Sequence, residues 1–181
     1  MAAEEGVVNH VVIPEGLNRD GSLSTYYEGC LRQLAAHARP GEHVYLAPGN
    51  HFGHARMEEA VAADRIAALR PDLPIHLPAI PRTRYFDTLD NAIELRRWAQ
   101  RQGLWPIANC VLYCNRYHLL RTKLCFRIAG FRPRAIRTAK PQPHSAGHIV
   151  PRLWYYDHAA ANVCYEALAI GYTALRLAGA P

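Results

Sequence analysis

Short β-branched runs alternate with longer stretches of helical period along this chain, and that alternation restricts the fold more than any other feature. Val7 to Ile13 (VVNHVVI) is an apolar run stopped by Pro14, as a central strand would be. Ser24 to His37 then reads as a helix, with Ser24 as cap and Tyr27, Leu31, Leu34 and Ala38 at helical spacing. The same pair recurs. Strands are expected at 43–47, 75–77, 107–114 and 133–138, and helices at 54–69, 87–102, 117–129 and 153–178. Residues 140–151 read as a polar, Pro-rich loop. Strand–helix alternation implies right-handed crossovers, hence a mostly parallel sheet of about five strands with helices on both faces. The expected fold is a three-layer, Rossmann-like α/β domain over residues 1–181, with 153–178 as a C-terminal helix.

Length and composition agree with one globular domain. The 181 residues are 50% hydrophobic and 20% charged, enough for a packed core and too apolar for disorder. The start, MAAEEGVVNH, has no basic n-region, so a signal peptide is not expected. The longest apolar stretch, Val163 to Ala178, is interrupted by Glu166 and Arg176 and is too short to span a bilayer. A cytoplasmic chain without a membrane partner is therefore expected. The five cysteines form no CxxC pair, so they read as reduced thiols without an evident role.

The charge balance is 21 basic against 15 acidic residues, a net +6. By count along the sequence, 13 of the 21 fall between Arg82 and Lys140. A solvated basic face and a site for a small anion both account for this. Nucleic acid is not the expected partner, because the basic residues sit among polar loop groups rather than along an aromatic-lined groove.

In sheets of this kind ligands bind outside the carboxyl ends of the strands, so the loops after the strands hold the candidates. The first, PEGLNRDGS, offers Asn18, Asp20 and Ser22 between Gly16 and Gly21. It has neither GxGxxG nor GxxxxGK[ST], and a plain surface turn also explains it. The second, APGNHFGHARMEEA, runs through Asn50 to a helix start, where backbone N–H groups suit an anion. His51, His54 and Glu58 lack HExxH spacing, so no metal is expected. The third, PRTRYFDTLDNA, places Arg82 and Arg84 before a helix capped by Asp87 or Thr88, with Asp90 or Asn91 in its first turn. A cap with exposed arginines is the plain reading, yet two Arg, an Asp and an Asn are more than a cap requires. In the fourth, YCNRYHLLRTK, Asn115 and Arg116 make the turn, and His118 and Arg121 lie three apart on one helical face. Arg121 offers a planar fork to a phosphate or carboxylate, and His118 a proton carrier near neutral pH. A part-buried His beside a surface Arg is the alternative.

Taken together these segments resemble the YdcF-like family, a domain family of unknown function that includes SanA and ElyC. The matching elements are Asp20-Gly21-Ser22, Pro48-Gly49, Glu59-Ala60, Asp87-Thr88-Leu89-Asp90-Asn91-Ala92 and Tyr117-His118-Leu119-Leu120-Arg121, in order across about residues 7 to 131. The T-x-x-N-A and H-x-x-R elements are the most specific. The Gly-rich turn after the first strand is Pro14-Glu15-Gly16 here, and the S-G-G element is Ala47-Pro48-Gly49-Asn50.

The resemblance implies a Rossmann-like fold with a pocket at the strand ends, a link to envelope biogenesis, or binding of a nucleotide-like ligand such as S-adenosylmethionine. The family supplies no settled reaction. The expected function is a small enzyme, transferase or hydrolase, acting on an anionic substrate, phosphorylated or nucleotide-like. His118 would be general acid or base and Glu59 its carboxylate partner. Arg121 with Arg84 or Arg116 would hold the anion, and Asn18, Asn50, Thr88 and Asn91 would position the substrate or its loops. The alternative is a non-catalytic nucleotide or S-adenosylmethionine sensor. The terminal segment WYYDHAAANVCYEAL, aromatic on one side, packs on the sheet or forms a homodimer interface.

Overall fold

The computed structural model describes residues 6–80, 84–139 and 149–178; Arg82 and Lys140 lie outside them. Five strands form the sheet: β1 (Asn9–Val12), β2 (His43–Leu46), β3 (Ile75–His76), β4 (Cys110–Asn115) and β5 (Ala135–Ala139). Their order is β3-β2-β1-β4-β5 and every pairing is parallel. The helices are α1 (Thr25–His37), α2 (Glu58–Leu69), α3 (Thr88–Arg101), α4 (Leu119–Ile128) and α5 (Ala159–Ala178), with a 3-10 segment at Pro151–Asp157. This is the three-layer, Rossmann-like α/β architecture that the alternation implies.

Side-chain alternation along the strands makes the two core layers. Val12, Val44, Leu46 and Tyr113 point to one face and are covered by Tyr27, Leu31 and Leu34 of α1 and Ala62 and Ile66 of α2. Val11, Ile13, Tyr45 and Leu112 point to the other and are covered by Ala92, Leu95 and Ala99 of α3 and Phe126 of α4. A third cluster, built from Tyr26, Ile149, Val150, Leu153, Tyr155 and Tyr156, sits apart from both layers.

Several boundaries differ from the periodicity for identifiable reasons. β4 begins at Cys110 rather than 107 because Asn109 adopts φ +49°, which no strand residue takes. α2 begins at Glu58 rather than 54 because Phe52 and Gly53 have positive φ and close a turn first. α4 begins after His118, where the Asn115 side chain accepts the Tyr117 and His118 backbone N–H groups. The terminal helix is divided: an extended His158 separates the 3-10 segment, itself kinked at Leu153, from α5, while Gly171 does not interrupt α5. No helix among the described residues is long and apolar enough to cross a membrane.

The β1–β4 neighbours diverge from the middle of the sheet, so the crevice where ligands bind in such folds lies outside the ends of these two strands. Two asparagines hold its walls. Asn50 donates to the Phe86 carbonyl (3.0 Å) and accepts from the Phe86 N–H (2.8 Å), joining the β2 loop to the α3 entry. The Asn91 amide donates to the Asp87 and Pro48 carbonyls. Asn50→Ala removes both hydrogen bonds from Asn50 to the buried Phe86 backbone, which costs about 1–3 kcal/mol. The expected reading is a lower urea midpoint with an unchanged slope.

Candidate functional site

Glu15 stands directly after β1 with its carboxylate fully buried. It accepts from the backbone N–H of Asn115 (2.7 Å), the Asn115 side-chain amide (2.6 Å) and the Tyr156 hydroxyl (3.2 Å). His118 Nδ1 lies 3.0 Å from the same carboxylate. A carboxylate can only accept, so Nδ1 carries a proton, and Nε2 is an acceptor when the ring is neutral. Nε2 receives a hydrogen bond from the Arg121 guanidinium. The arrangement is a carboxylate–imidazole dyad whose far nitrogen is held by a cation; an anion that drew Arg121 away would leave that nitrogen able to accept a proton.

Arg121 is buried, and Glu166 of α5 grips it with two hydrogen bonds of 2.7 Å. A Glu166 oxygen is also 3.3 Å from His118 Nε2. Burial opposes the charge of Arg121, but the Glu166 bonds outweigh it and hold the guanidinium's pKa above its ordinary value. The fork that sequence assigns to a ligand is thus filled by the chain's own carboxylate. α5 is tied down a second time by Arg176, which bonds Asp87 (3.0 Å) and Asp90 (2.8 Å). Asp90 also receives both nitrogens of Arg84 (2.7 and 2.8 Å) and closes the capping box with Asp87. Desolvation alone would raise the Asp90 carboxyl; the two arginines pull it down to about 2.

Glu58 joins the other two loops. Its carboxylate accepts from the Gly16 N–H and the Asn50 N–H, each at 2.7 Å. Gly49 must lack a side chain here, because a Cβ would collide with the Glu58 carboxyl group. Gly16, at φ +86°, leaves room for the Leu153 side chain that closes over it. Burial, opposed by the Asn50 hydrogen bond and reinforced by Glu59, pushes the Glu58 carboxyl up to about 8.

Two spaces adjoin these groups. A chamber of about 30 Å³, bounded by Glu58, Asn91, His118, Arg121, Leu153 and Tyr156, holds one or two waters at most. An open cleft of about 760 Å³ lies across Tyr85, Thr88, Arg121 and Tyr165, between the start of α3 and α5. Its size suits a small-molecule ligand. Four arginines line it against two aspartates, and Arg152 lies 3.8 Å over the Tyr85 ring.

Of the sequence candidates, Asn50, Thr88, Asn91, His118 and Arg121 meet around the chamber, and Arg84 lines the cleft. Three stand elsewhere. Arg116 is exposed on the β4–α4 turn. Asn18 holds its own turn through Ser22 and Leu23. Glu59 accepts from the Gly49 N–H (3.0 Å), and the carboxylate beside His118 is Glu15 instead. Glu58, one position away, is the acid that reaches the chamber, because the helix turns its neighbour aside. His51 and His54 bond to the Gly53 N–H and the Asn18 carbonyl. Among the described residues no three His, Cys, Asp or Glu side chains are grouped to hold a metal ion.

Glu15, Glu58, Glu166 and Tyr156 escape a reading of motifs. Two of them carried a signal: Glu15 is the acid at the very end of the first strand, and Glu166 is the sole acid in an apolar helix. Comparisons with protein-family models, curated proteins and solved structures find no match.

Two outcomes are expected. The Glu58 pKa lies above its unfolded value of 4.5, so the folded state binds the extra proton. Its contribution to stability is complete below about 4.5 and is lost as pH rises through about 8. Against wild type, Glu58→Gln should lack that downward slope in urea titrations across this range, at an overall cost from one lost backbone bond. Glu166→Gln breaks a buried pair and should cost about 3–5 kcal/mol. Because Arg121 then faces no carboxylate, inorganic phosphate should raise its Tm more than that of wild type.

Proposed function

We propose that this chain is a small cytoplasmic enzyme acting on an anionic small molecule, phosphorylated or nucleotide-like, that enters through the cleft beside α5. The observation that carries the reading is the line Glu15–His118–Arg121, with Nδ1 on a buried carboxylate and Nε2 beside a guanidinium. Glu15 fixes the tautomer, and Nε2 takes a proton from the attacking group in a transfer or hydrolysis once Arg121 turns from it to the anion. Arg121 receives the anion once Glu166 is displaced. Thr88 and Asn91 hold the wall opposite. Support also comes from the resemblance to the YdcF-like family: its two most specific elements, around Asn91 and around His118, converge on one chamber.

One observation favours a second reading, a nucleotide or S-adenosylmethionine sensor without catalysis. The space at His118 is about 30 Å³ while the cleft outside it is about 760 Å³. A ligand that stays in the cleft would lie against Tyr85 and Tyr165 and never reach Nε2.

A thermal-shift screen of nucleotides, S-adenosylmethionine and sugar phosphates separates the readings, since ligand at 100 times its Kd adds about 2.7 kcal/mol. With the ligand so found, His118→Ala should keep its circular dichroism and lose about 100-fold or more in turnover. Full turnover in that variant overturns the enzymatic role of His118. Stabilisation without conversion by wild type supports the sensor.

A further inference from the structure

A helix that covers a globular body ordinarily buries an apolar stripe and leaves its polar side to water. The 20-residue α5 does the reverse. Its three buried residues, Asn162, Glu166 and Thr173, are all polar. No residue of α5 enters either of the two core layers. Leu168 and Tyr172 line the open cleft instead, 75% and 61% exposed. The part α5 takes in the hydrophobic clusters is Ala161 and Tyr165, at the edge of the third, with the Tyr165 ring stacked on Tyr155 at 3.8 Å.

Polar bonds fasten the helix. Glu166 grips Arg121, and Arg176 grips Asp87 and Asp90. The Thr173 hydroxyl is in hydrogen-bonding contact with the Cys125 thiol, one turn beyond Arg121 on α4. The Arg176 side chain is 34% exposed, so its pairs are open to screening by salt. The Arg121 fork takes a phosphate as readily as a carboxylate.

The closed position also carries a cost. The Asn162 side chain is fully buried, and among the described residues neither its amide nitrogen nor its oxygen has a hydrogen-bond partner. A buried amide left unpaired opposes the packing that buries it. The chain enters α5 through His158, whose extended backbone separates the helix from the 3-10 segment. An element-terminal residue of this kind is where a packed element pivots.

We propose that α5 is a lid that pivots at His158 and is released when a phosphate-type anion takes the place of Glu166 on Arg121. Lifting α5 draws Tyr165 away from the boundary between chamber and cleft, where it stands beside Arg121. It also brings the Asn162 amide to water. The small space at His118 and the large cleft then become one. This deepens the function proposed above and rests on it for the anion at Arg121, though not for proton transfer at His118.

Cys125 reports the movement, because its thiol is buried against Thr173 of the lid. Its exposure is read by maleimide labelling and peptide mass spectrometry, in inorganic phosphate and in sodium chloride of equal ionic strength. Cys30, buried between α1 and the sheet, reads global unfolding. Phosphate should speed labelling of Cys125 in wild type about 10-fold or more over chloride and leave Cys30 unchanged. Glu166→Gln combined with Arg176→Gln should do the same in chloride alone. Equal labelling of Cys125 in that variant and in wild type overturns the lid. An acceleration that Cys30 shares is unfolding of the variant, and the wild-type comparison of phosphate with chloride then decides. A wild-type rate in phosphate no higher than in chloride overturns release by an anion at Arg121. Turnover enters none of these measurements, so a failure of the chemistry assigned to His118 leaves them unchanged and is told apart from a failure of the lid.

Discussion

One buried carboxylate organises the strand ends. Glu15 leaves β1 and collects an N–H and a side-chain amide from Asn115 at the end of β4, the imidazole of His118 at the start of α4, and the hydroxyl of Tyr156 from the terminal segment. A carboxylate removed from water is tolerated only when its lone pairs are satisfied. Four donors converge on this one, so the loop geometry that supplies them is fixed together with it. The divergence point of a parallel sheet is thereby converted from an open crevice into a closed, hydrogen-bonded cluster.

The terminal segment completes the site and also closes it. Leu153 fills the space over Gly16, Tyr156 reaches Glu15, and Glu166 neutralises Arg121. The arginine fork suits a substrate phosphate or carboxylate equally well, so the same bond that stabilises the folded chain competes with an anionic ligand. Any ligand that binds Arg121 must offset the loss of Glu166, a requirement that favours a substrate with more than one anionic oxygen.

Much of the fold was legible because periodicity reports burial directly. Val11 and Val12 on opposite faces of β1, and Leu31 and Leu34 inside α1, lie where alternation and helical spacing put them. The chamber was partly legible: Asn50, Thr88, Asn91, His118 and Arg121 sit on strand-end loops and converge as topology requires. The acids were not. Glu59 and Glu58 are adjacent in sequence, and only the rotation of α2 decides which reaches the Gly16 and Asn50 N–H groups. Arg121 reads as a free cation until a residue 45 positions later is seen to fold onto it.

The sequence by itself determined the α/β alternation, the strand-end loops and the residue types able to bind an anion and move a proton, since these follow from local spacing. Tertiary structure decided the pairings: Glu15 with His118, Glu166 with Arg121, and Arg84 and Arg176 with Asp90. Partner choice depends on which side chains lose their water in the same place, and that is set by how distant elements pack rather than by any motif within them.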